Sequence, residues 1–98
     1  MPTSEARVST ENPAVYMKQL CRHFGHRVPS EWTDERGSIT FETGTCTFAV
    51  EPGVLVLRVL TETSEDLARL EDVVGRHLER FAHREELAIS WERSSSES

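Results

Sequence analysis

The run Val54-Leu55-Val56-Leu57-Arg58-Val59-Leu60 is the most hydrophobic stretch of the chain. It is short, aliphatic and rich in β-branched residues, which predicts a central strand. Side chains alternate across a strand, so Leu55, Leu57 and Val59 share one face, and Val54, Val56, Arg58 and Leu60 the other. Upstream, Pro52-Gly53 makes a turn, and Thr45-Cys46-Thr47-Phe48-Ala49-Val50 alternates again. Thr43-Gly44 suits a tight hairpin turn leading back to Ser38-Ile39-Thr40-Phe41. These pieces predict an antiparallel meander. Its core face carries Ile39, Phe41, Cys46, Phe48, Leu55, Leu57 and Val59. The opposite face carries Ser38, Thr40, Thr45, Thr47 and Arg58 beside the apolar Val54, Val56 and Leu60. That face is a candidate surface for a protein partner or for self-association; a plain scatter of exposed apolar residues is the other reading.

Helices flank the meander. Asn12 is a good N-cap, Pro13 suits the first helical position, and Met17, Leu20, Cys21 and Phe24 recur at helical spacing, with Tyr16 at the margin. Gly25 either caps this helix or lets it run through His26. Pro29 forces an extended segment carrying Trp32, and Thr33-Asp34-Glu35-Arg36-Gly37 is a loop. Thr63-Ser64-Glu65-Asp66 starts a second helix, with Leu67, Leu70, Val74, Leu78 and Phe81 on one face, ending near His83. Gly75 in its middle suggests close approach to the first helix, or simple tolerance. Ala6–Thr10 alternates as a first strand and Leu87–Trp91 closes the domain as the last. The expected order is β-α-β-β-β-β-α-β: an α+β two-layer sandwich with both helices on one face of a mostly antiparallel sheet. Residues 6–91 form one domain in this reading, with disordered ends at 1–5 and 92–98.

Composition narrows the functions. A net charge of −6, with one lysine and ten arginines, argues against nucleic acid and against anionic lipid. No stretch approaches the roughly 18–20 apolar residues that span a bilayer, and Met1–Arg7 lacks the apolar core of an export signal. The expected setting is the cytoplasm, where two cysteines stay thiols.

The densest chemistry lies in Cys21-Arg22-His23-Phe24-Gly25-His26, with Cys46 later. Cysteine and histidine are the ligands that zinc, copper and iron favour, so Cys21, His23, His26 and Cys46 are candidate ligands of a transition metal. On a helix Cys21 and His23 point roughly 200° apart, whereas His23 and His26 share a face. The bland reading makes both cysteines core hydrophobes and the histidines surface residues. His77, between Arg76 and Arg80, reads as part of a solvated face, with a place in an interhelical metal site as the alternative; His83 lies on another face. Glu85 and Glu86 sit by Arg84 in a loop and read as solvated charge. No phosphate-binding glycine loop, Gly-x-Ser-x-Gly elbow or His-Glu-x-x-His pair occurs, so no enzymatic activity is expected.

Residues 16–27, Gly44-Thr45-Cys46 and residues 70–87 resemble the signature of a bacterial family catalogued as a domain of unknown function (number twenty-two eighteen). The resemblance runs over about residues 6–91, with Cys21, His23, His26, Cys46, His77 and Glu85 at matching positions and Gly25 as a departure. It implies small stand-alone proteins, similar domains fused to siderophore-interacting flavin reductases, and a sandwich akin to the TATA-box-binding-protein-like or phosphohexomutase C-terminal domain. It supplies no catalytic residues. Two functions follow as expectations: a non-enzymatic binding or accessory module, monomeric or homodimeric, or a metal-handling protein linked to iron or siderophores.

Overall fold

The computed structural model describes residues 2–95. Strand β1 (Pro2–Ser9) leads to helix α1 (Pro13–Phe24), then to β2 (Ser30–Trp32), β3 (Arg36–Phe41), β4 (Gly44–Glu51) and β5 (Val54–Thr61). Helix α2 (Ser64–Phe81) and β6 (Glu92–Ser95) follow. This is the expected element order. All pairings are antiparallel, in the spatial order β2-β3-β4-β5-β1-β6, so β5 lies inside the sheet and the meander β2–β5 is continued by the two terminal strands.

Both helices pack on one face. The alternation predicted for that face is the one observed: Ile39, Cys46, Phe48, Leu55, Leu57 and Val59 are buried, and Phe41 partly so. They meet Met17, Leu20 and Cys21 of α1 and Leu67, Leu70, Val74 and Leu78 of α2. Burying an aliphatic side chain contributes roughly 1.5–3 kcal/mol, so this layer carries most of the fold's stability. Gly37 lets α1 come this close to β3: a Cβ there would stand 2.9 Å from Cys21 Sγ and 3.3 Å from Met17 Sδ.

The structure corrects the sequence reading at several places. β1 begins at Pro2, inside the segment expected to be disordered, because its backbone pairs with β5 from Thr3↔Leu60 to Ser9↔Val54. Leu87–Trp91 is not a strand; the last strand is β6, inside the expected tail. β6 is held by pairing with β1 and by Arg93, which donates to both carboxylate oxygens of Glu71 on α2 at 2.7 and 3.0 Å. Residues 1 and 96–98, also expected to be disordered, lie outside the described residues. The β3–β4 turn falls on Glu42-Thr43, one residue earlier than expected, with Phe41 opposite Gly44. Thr63 caps α2 as expected, accepting from the Asp66 amide at 3.1 Å, but the Asn12 side chain makes no cap hydrogen bond. Gly25 follows α1 in right-handed helical geometry (φ −62°). Gly75 faces the indole of Trp91 rather than α1. Among the described residues, no helix is long and apolar enough to cross a membrane.

Candidate functional site

Helix α1 delivers His23 and Phe24 to the end of the helical layer, where α2 presents His77 and Phe81. The His23 and His77 ring centroids lie 4.9 Å apart, tilted by 42°. His23 also meets Phe24 and Phe81 edge-on, at 5.1 and 5.7 Å. Phe24 in turn lies 4.8 Å from His77 and edge-on to Phe41 at 5.2 Å. Five rings therefore close the junction between the helices and the sheet. His77 is not simply part of the solvated face; it is half-buried against His23. Its Nδ1 is 2.7 Å from the Val73 carbonyl oxygen, one turn back. A carbonyl only accepts, so Nδ1 carries the proton and the lone pair of the neutral ring is on Nε2. His23 has its basicity lowered, first by partial desolvation and then by the charges of His77, His26, Arg27 and Arg80.

The two thiols belong to the interior. Cys21 and Cys46 are fully buried and unpaired. Burial pushes the Cys21 thiol up to about 11, against a smaller opposing hydrogen bond from the Ser38 backbone. Cys46 is raised further, by burial and then by the neighbouring Cys21. Both are protonated at neutral pH, which makes them poor nucleophiles and poor metal ligands. The candidate ligands thus divide: Cys21 and Cys46 face the core, while His23 and His26 are exposed. Among the described residues, no three His, Cys, Asp or Glu side chains gather as a metal site.

Glu85 is not solvated charge. Its carboxylate accepts from Tyr16 Oη at 2.5 Å, Thr10 Oγ1 at 2.9 Å, Asn12 Nδ2 at 3.3 Å and the Glu11 amide at 3.4 Å. The Tyr16 hydrogen bond, foremost among these, holds the carboxyl below its usual range. The same contact raises the Tyr16 phenol. Glu85 fastens the segment after α2 to the start of α1, and the Asn12 side chain serves it instead of capping the helix.

Among the described residues, no helix lies over the outer face of the sheet. Val54, Val56 and Leu60 are half-buried there and Arg58 is exposed, as the alternation predicts. Arg58 donates to Glu5 across the β5–β1 pair at 2.7 Å. Arg7 of β1 pairs with Glu51 of β4. With Arg36, Ala49 and Val56, these side chains line a concavity of about 520 Å³.

Sequence reasoning found this face and its residues, since period-two alternation is a local signal. It missed the contact of His23 with His77 and the roles of Glu85, Glu71 and Arg93. Each joins residues far apart in the chain, and the one local hint was the placing of Phe24 and Phe81 beside histidines at the ends of two amphipathic helices.

Comparison with known proteins agrees with this architecture. The NMR structure of PA4090 from Pseudomonas aeruginosa is similar, with a TM-score of 0.80 and 36% identity over 94% of this chain and 96% of that one. A search of curated proteins finds no match. The family model described as "Uncharacterized protein conserved in bacteria (DUF2218)" matches residues 5–92. Over nearly all of its length, then, the chain belongs to this bacterial family of uncharacterized proteins.

Proposed function

We propose that the protein is a non-enzymatic binding module that works through the open face of its sheet, and that the occupant is a second copy of that face. The observation that carries this reading is the half-buried stripe Val54, Val56 and Leu60 on a sheet face that no helix among the described residues covers. An antiparallel sheet tolerates water on one face, and such faces are ordinarily polar. Here the interior strand is apolar at three of its four outward positions.

Charge selects the occupant. A chain of net charge −6 repels copies of itself over most of its surface. Around Val56, however, three arginines (Arg7, Arg36, Arg58) stand against two glutamates (Glu5, Glu51), so like charge does not oppose approach there. The face carries charges of both signs, Arg7 paired with Glu51 and Arg58 with Glu5, so two copies of it can meet self-complementarily, as an isologous interface requires. The protonated, buried thiols fit a binding role better than a catalytic one, and unpaired thiols fit a cytoplasmic setting.

The test compares the untagged protein with a Val56→Asp variant by light scattering after size exclusion. Concentration-dependent dimerisation that the variant abolishes supports the reading. A monomer that persists to about 1 mM, where even an affinity of about −4 kcal/mol would show, overturns it. So does a dimer indifferent to Val56→Asp.

A further inference from the structure

We propose that His23 and His77 form a two-imidazole site for a divalent first-row transition cation at the junction of α1 and α2. The proposal is independent of the sheet face, which lies on the other side of the molecule.

The separation of the rings carries it. A histidine nitrogen ligates such an ion at about 2.0–2.1 Å, which puts each ring centroid about 3.2 Å from the metal. Two imidazoles on one ion then have centroids about 4.5 Å apart at a right angle between ligands and about 5.2 Å apart at the tetrahedral angle. The His23 and His77 centroids stand 4.9 Å apart, between these limits. The ring separation is therefore one that a shared ion allows.

The second support is the state of His77. Its Nδ1–H donates to the Val73 carbonyl at 2.7 Å, so in the neutral ring the lone pair lies on Nε2. A backbone carbonyl holding the far nitrogen is the arrangement that orients histidine ligands at metal sites. His23 is held from two sides by Phe24 and Phe81, edge-on at 82° and 74°. Both rings are thus positioned by groups that would not themselves bind the ion.

The neighbours define the cation. Arg27 and Arg80 lie close enough to act on His23, and their charge opposes a hard cation held by charge alone. Magnesium and calcium, which want carboxylate and carbonyl oxygens, are excluded; zinc, nickel and copper(II), which accept imidazole lone pairs, are admitted. Among the described residues, no third His, Cys, Asp or Glu completes the set, so water or an incoming ligand fills the remaining positions and the site is open.

The experiment titrates untagged protein with zinc chloride by calorimetry and follows the histidine ring resonances by NMR. One equivalent is expected to bind, shifting His23 and His77 together, with magnesium giving no heat. His23→Ala and His77→Ala are each expected to lower the affinity at least about tenfold, a change comparable to losing a ligand's support. His26→Ala is expected to leave it within about twofold. No binding by the wild-type protein overturns the proposal, as does binding that survives His77→Ala or that shifts His26 in place of His77. If either alanine variant fails to fold, the ring shifts of the wild-type protein decide alone.

Discussion

Arg7 on β1 pairs with Glu51 on β4, and the strand it crosses to do so is β5, at Val54 and Val56. The apolar stripe of the open face is therefore bridged by an ion pair made within the same molecule. Arg58 and Glu5 make a second bridge beside it. Both pairs are solvent-exposed, and exposed pairs contribute little to stability. Arg7→Ala is expected to change unfolding free energy by no more than about 0.5 kcal/mol in a urea titration. A loss of 2 kcal/mol or more, an order expected only of buried pairs, would show that the bridge is structural.

Tyr16 and Glu85 fasten the two ends of the helical layer. Glu85 has its pKa depressed in the folded protein, so its stabilising effect is present above the ordinary carboxylate range and is lost as pH falls through the depressed value. Glu71, depressed mainly by its hydrogen bond to Arg93, acts in the same direction. Thermal midpoints are expected to drop below about pH 4.5 and to drop less in Glu85→Gln. Tyr16→Phe is expected to lower the thermal midpoint at pH 7, since the hydrogen bond it removes goes to a charged acceptor. Equal acid sensitivity in wild type and Glu85→Gln would show that Glu85 does not carry the acid response.

Gly75 occupies the interior of α2 without steric need. A Cβ built there meets only the Trp91 Nε1, at 3.8 Å, an ordinary contact. Gly75→Ala is expected to stabilise the protein by about 0.5–1 kcal/mol in chemical unfolding, through helix propensity. A destabilised variant would mean that Trp91 packs more tightly on α2 than the structure has it.

Cys21 is sealed beneath β3, with its thiol pushed up to about 11. At pH 8 the thiolate fraction is then about a hundredfold below that of an unperturbed cysteine. Alkylation of the native protein by iodoacetamide is expected to be at least about a hundredfold slower than in urea. Rapid native labelling would indicate an accessible, activated thiol.

The residues that sequence made legible are those whose signals are local. Val54–Leu60 alternates, and its two faces are the two faces observed; Met17, Leu20 and Cys21, like Leu67, Leu70, Val74 and Leu78, repeat at helical spacing and are buried. Glu92–Ser95 is polar and aperiodic, and becomes a strand because β1 offers it an edge and Glu71 offers Arg93 a partner. Likewise, nothing near His77 in the chain announces His23, because their meeting depends on how two helices lie over one sheet. The face was readable and the junction was not.

The most direct test of the docking face is sedimentation equilibrium of the untagged wild-type protein across a wide concentration range at two salt concentrations. A reversible monomer–dimer equilibrium is expected, weakening modestly as salt screens the arginine–glutamate contacts. A single species at the monomer mass of 11.1 kDa throughout would contradict it.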